Sequence, residues 1–108
     1  MQELKEREKL EDAIKSSPCV LVQYGRESCM PCHGIKRKLG EWVREQPEAC
    51  GIYVPLDQFP DLAAEAGIFT VPAVLLYVDG RLTKRESGYF SVDEILRAAE
   101  RYLELLKE

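Results

Sequence analysis

The chain has 108 residues, of which 45% are hydrophobic and 31% charged, so it is long enough for one domain with a single core and too short for two. Its net charge of -4, with no stripe rich in lysine or arginine, argues against a nucleic-acid partner. The longest apolar stretch, Val71–Val78, is too short to span a bilayer, and the N-terminus alternates charges where a signal peptide needs an apolar run. We therefore expect a single domain over residues 1–108 that is cytoplasmic, monomeric and without a membrane partner.

Eight elements are predicted from hydrophobic periodicity and from the residues that end each run. The charged N-terminal segment carries a loosely apolar helical face with Leu4, Leu10 and Ile14, which predicts a first helix. Asp79-Gly80 indicates a hairpin, and Ser91-Val-Asp-Glu94 is a capping box that begins the last helix. In chain order we predict helix 2–16, strand 19–24, helix 30–45, strand 50–56, helix 60–66, strand 73–78, strand 82–87 and helix 91–106.

This order of elements predicts one α/β domain. The first two strands are joined through a helix and should be parallel, whereas the last two should form an antiparallel hairpin. The strand at 73–78 is apolar on both faces and is expected near the centre of a sheet. We predict a central mixed sheet of about four strands, with helices on both faces.

The spacing of the cysteines is the strongest chemical signal. Cys29-Met-Pro-Cys32 lies where the first strand gives way to a helix, and Cys29 there faces unpaired N–H groups and the positive end of the helix dipole. Such a position lowers a thiol pKa from about 8.5 to roughly 3.5–7.5. Cys32, one turn further in, is less exposed and close enough to attack a mixed disulfide on Cys29. The motif thus predicts Cys29 as the attacking thiol and Cys32 as the resolving one.

Three segments together resemble the thioredoxin family. Val20–Cys32 is similar to the family's active-site strand and turn, and Thr70-Val71-Pro72-Ala73 to its cis-proline loop. Asp79-Gly80 and Gly88 also fall where the family has its hairpin turn and a groove glycine. The resemblance runs from about Cys19 to Leu106 and implies the thioredoxin-like fold.

The resemblance also implies a function: a thiol–disulfide oxidoreductase that reduces protein disulfides through a Cys29/Cys32 cycle. It implies no cofactor beyond this redox-active disulfide, and electrons that arrive from a reductase or another dithiol. Pro72 should be cis and Val71 should pair with a substrate strand through its backbone. The substrate-binding residues expected on this basis are Met30, Pro31, Val71, Pro72 and Gly88.

Several residues depart from the family pattern. A buried acid of the family pattern is replaced here by Gln23, an aromatic residue by Gly25 and a tryptophan by Ser28. A helix-kinking proline is replaced by Arg37, and a lysine by Tyr53. Because Gln23 cannot titrate, we expect Cys32 to lose its proton to water or to a neighbouring thiolate. Glu27 and His33 are alternative bases.

Other functions stay open at this point. Cys29-Met-Pro-Cys-His33 also matches the haem-attachment pattern, although attachment normally requires export. A structural zinc site would need a second cysteine pair, which Cys19, Cys50 and His33 do not form, so no metal ligands are predicted. A thioredoxin-fold interaction module with weak or no catalysis is a further alternative, as is glutathione-dependent chemistry on the same fold. Cys19 and Cys50 are interpreted as small hydrophobes, with a second redox pair as the alternative.

Overall fold

A computed structural model of the protein describes residues 1–107, and its centre is a five-stranded mixed sheet in the order β1-β3-β2-β4-β5. β3 lies parallel to β1 and β2, whereas β4 is antiparallel to both of its neighbours. The strands are β1 Gln2–Glu3, β2 Cys19–Gly25, β3 Ala49–Pro55, β4 Ala73–Val78 and β5 Arg81–Ser87. The helices are α1 Leu10–Ile14, α2 Met30–Arg44, α3 Pro60–Ala66 and α4 Val92–Leu106.

The predicted fold is confirmed, with one correction at the N-terminus. The helix predicted over residues 2–16 is reduced to α1, which follows a 3₁₀ turn at Arg7–Lys9. Residues 2–3 instead form β1, because the edge of β3 offers unpaired backbone groups. Leu4 is 5% exposed against this edge, and its N–H donates to the Tyr53 carbonyl at 2.9 Å. The sheet therefore has five strands and not about four.

Helices cover both faces of the sheet, as predicted. The inward side chains of α1 and α3, including Leu62, pack with Val20 and Val22 on one face. Leu39 of α2 and Ile95 of α4 pack on the opposite face. β2 lies between the two layers and is buried along its whole length, which explains its unbroken apolar character. This strand is the rigid support for the loop that follows it.

The two remaining cysteines lie on opposite faces of the sheet. Cys19 pairs in register with Ala49, and Cys50 pairs with Val20, so the side chains of neighbouring positions point apart. Cys19 packs in the layer of α2 and α4, and Cys50 packs in the other layer. Burial raises the pKa of the Cys19 thiol to about 11. The register rules out a second disulfide between them, and Cys19 behaves as a small core residue.

Candidate active site

Three strand ends meet at one end of the sheet and support the cysteine motif. β2 ends at Gly25 and β3 at Pro55, and the Leu56 N–H donates to the Gly25 carbonyl at 2.9 Å. β4 begins at Ala73, which pairs with Tyr24 at the end of β2. The carboxyl ends of parallel strands are the usual place for a site in an open α/β sheet.

Cys29 and Cys32 form a disulfide at the start of α2, with their Cα atoms 5.3 Å apart. Cys29 is the N-cap of this helix, and its Sγ accepts a hydrogen bond from the Cys32 N–H at 3.2 Å. Pro31 lies in the first turn, where a missing N–H leaves no hydrogen bond unmade. The same N–H that reaches the Cys29 sulfur in the disulfide is available to a thiolate at that atom.

The two cysteines differ sharply in exposure. Cys29 is half-buried, whereas Cys32 is fully buried beneath it. Met30, which follows Cys29, is 76% exposed, and Pro31 is exposed as well. An external disulfide therefore has access to the Cys29 sulfur and not to the Cys32 sulfur.

The loop before Cys29 is held by hydrogen bonds from three directions. The Glu27 N–H donates to the Asp57 carboxylate at 2.9 Å, and the Cys29 N–H donates to the Arg26 carbonyl at 3.1 Å. His33 Nε2 lies 2.9 Å from the Glu27 carbonyl oxygen, so this nitrogen donates to the loop. The imidazole thus supports the loop through this hydrogen bond.

The loop that carries Pro72 lies beside this motif. The Val71–Pro72 peptide bond is cis, as the family resemblance implies, and Pro72 is buried. Gly88 has a φ of 74°, which favours glycine, and its N–H donates to the Pro72 carbonyl at 2.9 Å. The expected substrate-binding residues of this loop, with Gly88, therefore form one hydrogen-bonded unit.

Two exposed aromatic side chains are sequence neighbours of these substrate-binding residues. Phe69 is 91% exposed and lies two residues before Val71, and Tyr89 is fully exposed beside Gly88. Phe69 was not predicted as a site residue from the sequence. The sequence signal that could have found it is its position. Phe69 lies between a glycine-capped helix and the Thr-Val-Pro turn, outside every apolar stripe.

Polar residues under Cys32 replace the acid and lysine of the family pattern. Gln23 is fully buried, and its Nε2 donates to the Cys32 carbonyl at 2.8 Å. Its Oε1 is buried without a hydrogen-bond partner. Tyr53 is its neighbour in register on β3. Gln23 holds the backbone of α2 and carries no titratable group.

Gly25 and Tyr53 fit together beside the Cys32 sulfur. A Cβ atom placed on Gly25 would meet the Tyr53 hydroxyl oxygen at 2.6 Å and the Cys32 Sγ at 3.1 Å. The phenol therefore occupies space that any larger residue at position 25 would fill. Burial raises the pKa of Tyr53, and the negative charges of Glu27, Glu3 and Asp57 raise it further.

Residues 1–107 contain neither a cluster of metal ligands nor a membrane-spanning helix. No three His, Cys, Asp or Glu side chains in that range are grouped so that they could hold a metal ion. Over the same range, no helix is long and apolar enough to cross a membrane.

A helix-capping disulfide with one accessible sulfur, beside a cis-proline loop, defines a thiol–disulfide oxidoreductase. The family model described as thioredoxin matches residues 2–101. The chain is 34% identical over 87 residues to thioredoxin-2 of Pyricularia oryzae, which is 81% of this chain and 46% of that protein. It is 24% identical over 96 residues to the thioredoxin-like protein YdfQ of Bacillus subtilis, covering 89% of this chain and 86% of the relative.

The solved structures give the same result. Fasciola hepatica thioredoxin superposes with a TM-score of 0.82 at 25% identity, covering 94% of this chain and 99% of that one. The present chain spans about half the length of the fungal relative and nearly all of the fluke protein. This protein belongs to the thioredoxin family.

Proposed function

We propose that the protein reduces disulfide bonds in other proteins, with Cys29 as the attacking thiol and Cys32 as the resolving thiol. The observation that carries this proposal is the environment of the two sulfurs. The Cys29 sulfur is accessible and accepts an N–H at the positive end of α2, whereas the Cys32 sulfur is buried. An accessible, stabilised thiolate and a protected second thiol are what a dithiol reductant needs.

The proposed cycle transfers two electrons from the protein to its substrate. The Cys29 thiolate attacks one sulfur of the substrate disulfide, and the other substrate sulfur leaves as a thiolate that takes a proton from water. Cys32 then loses its proton and attacks the Cys29 sulfur, which forms the Cys29–Cys32 bond and breaks the mixed disulfide. The second substrate thiolate is protonated in turn, so the substrate ends as two thiols and the protein as its disulfide.

The substrate is proposed to lie across Met30, Pro31, Val71, Pro72 and Gly88. The exposed apolar side chain of Met30 supports a contact with an extended chain, and exposed Phe69 and Tyr89 add apolar surface at the same end of the sheet. Val71 precedes β4 and is half-buried, so its backbone is not committed to the sheet ladder. Backbone pairing there would give affinity without sequence specificity.

The cycle needs an electron donor, which we propose to be a reductase or another dithiol. Proteins of this family act on protein disulfides and are regenerated by such a donor, with no cofactor in the chain beyond the redox-active disulfide. We propose that the protein works as a monomer in the cytoplasm, where a reducing dithiol pool is present.

Insulin reduction in the presence of dithiothreitol tests the proposed activity. We expect the wild-type protein to accelerate precipitation of the insulin B chain, Cys29→Ser to abolish the acceleration, and Cys32→Ser to accumulate a mixed disulfide at Cys29. The reduction potential of the pair, measured by thiol trapping, should lie near the thioredoxin value of about -270 mV. No acceleration by the wild type would contradict the proposal and favour an interaction module that lacks catalysis.

A further inference from the structure

The resolving step needs Cys32 to become a thiolate in a buried place. Cys32 is fully buried, and burial disfavours the charged form of a thiol. Gln23 lies beneath it, but its Nε2 already donates to the Cys32 carbonyl, and an amide does not take up a proton at neutral pH. The side chain under Cys32 therefore does not account for the ionisation of its thiol.

Tyr53 is a second polar side chain near this sulfur. Its hydroxyl oxygen and the Cys32 Sγ border the same small space, since a Cβ on Gly25 would contact both atoms. The space exists only because residue 25 has no side chain. Tyr53 is held in place on both sides, because it pairs with Gln23 on β2 and with Glu3 on β1. The hydroxyl is thus positioned by the sheet and not by a mobile loop.

We propose that the Tyr53 hydroxyl donates a hydrogen bond to the Cys32 sulfur as this thiol ionises, and so stabilises the thiolate that resolves the mixed disulfide. Tyr53 keeps its own proton throughout. The proton that leaves Cys32 passes to water, and the departing substrate thiolate takes one from water, so the step is balanced without another reactant. The proposal rests on the function proposed above, since it concerns the second half of that cycle.

The charges around Tyr53 favour a donor over a base. Burial raises the pKa of the phenol, and the negative charges of Glu27 in the active-site loop, Glu3 on β1 and Asp57 beyond β3 raise it further, so its neutral form is favoured. Lys36 from α2 places its Nζ 4.3 Å from the ring centroid, over the ring face. Because the phenol holds its proton above its ordinary pKa, it remains a hydrogen-bond donor at every pH at which the thiols react.

The test separates the two halves of the cycle with dithiobis(nitrobenzoate), one equivalent per reduced protein under stopped flow. Attack by Cys29 releases the first coloured thiolate, and resolution by Cys32 releases the second. The Cys29→Ser/Cys32→Ser variant reports any release from Cys50, which is subtracted. Tyr77→Phe is the matched control, because it removes a phenol hydroxyl on β4 from a residue that pairs with Val20, near the start of β2 and away from Gly25 at its end.

For Tyr53→Phe we expect an unchanged first phase and a second phase about tenfold slower at neutral pH, which is the effect of a hydrogen bond to a charged group. The pH midpoint of the second phase should rise by about one unit, because the thiolate has lost its donor. Tyr77→Phe should match the wild type in both phases. An unaltered second phase in Tyr53→Phe would overturn this inference, whereas a wild type with no second phase would overturn the proposed function itself.

Discussion

Gln23 is the residue where the chemistry departs furthest from the family pattern. It is fully buried, donates one hydrogen bond to the Cys32 carbonyl and leaves its Oε1 without a partner. A buried acceptor with no donor costs free energy in every conformation of the folded protein. A carboxyl group introduced at this buried position would have its pKa raised toward neutrality by burial.

We expect Gln23→Asp to accelerate disulfide reduction near neutral pH by about tenfold, because the carboxylate can accept the Cys32 proton. The gain should appear as the pH rises through the raised pKa of the introduced acid. Gln23→Asn is the control, since it shortens the side chain equally without adding a titratable group. Both variants lose the bond to the Cys32 carbonyl and should be less stable by about 1–3 kcal/mol. Equal insulin-reduction rates in the two variants would contradict a role for a base here.

Individual site residues differed in how well the sequence predicted them. Cys29, Cys32 and Pro72 belong to short local motifs, so their placement at one end of the sheet follows from the order of elements. The fit between Gly25 and Tyr53 joins two strands through a side chain and a missing side chain, and no local pattern encodes that contact. The contact between these two positions follows from the register of β2 on β3, which the structure supplies.

At the scale of elements, α2 and α4 are linked at one face of the sheet by an ion pair. Lys38 Nζ lies 2.7 Å from an Asp93 carboxylate oxygen, and both side chains are exposed. The hydrogen bond from Lys38, together with its charge, lowers the pKa of Asp93 below its ordinary value. A lowered folded-state pKa contributes stability above the ordinary carboxyl pKa of about 3.9, and that contribution is lost as the pH falls through the lower value.

We expect Lys38→Gln to return the pKa of Asp93 toward its ordinary value, measured by NMR titration of the carboxyl. The stability difference between this variant and the wild type should be present at neutral pH and vanish in acid. Lys9→Gln removes a similar exposed charge from the 3₁₀ turn and should leave the Asp93 titration unchanged. An Asp93 titration that is identical in Lys38→Gln and wild type would exclude the ion pair as the cause.

The start of α4 offers a second test at this scale. The Ser91 Oγ accepts a hydrogen bond from the Glu94 N–H at 3.2 Å, which fulfils the first half of the predicted capping box. We expect Ser91→Ala to lower the free energy of unfolding by about 1 kcal/mol, because an N–H of the first turn loses its partner. Urea denaturation measures the loss, with exposed Ser87→Ala as the control. An equal loss of unfolding free energy in the two variants would contradict a stabilising role for the Ser91 cap.

Elements with strong periodicity were predicted almost residue by residue. The bounds of the strand 73–78 and the helix 60–66 agree with β4 and α3. The prediction of a helix over residues 2–16 was wrong at its start, because a two-residue strand carries no periodic signal. The charged residues of this segment are also compatible with a helix. The burial of Leu4 against β3, a contact across some fifty residues, decided its conformation.

For the whole molecule, the disulfide couples redox state to stability. It closes a loop between residues three apart, for which the chain-entropy model gives about 2 kcal/mol in favour of the oxidised protein. We expect oxidised protein to unfold at higher urea than protein kept reduced by dithiothreitol. Cys32→Ser cannot form the bond and should unfold alike in both buffers. A reduced form that is the more stable would mean an oxidising potential, and would contradict reduction as the direction of catalysis.

The shared space of Gly25 and Tyr53 also constrains how the sequence can change. A side chain at position 25 and a hydroxyl at position 53 compete for one volume, so the effect of either substitution depends on the residue at the other position. An ancestor with a bulky residue at 25 would have to lose it before a tyrosine at 53 could be accommodated. In evolutionary terms the two positions form an epistatic pair. The substitution to glycine at position 25 has to come before the substitution to tyrosine at position 53 if the two side chains are not to clash.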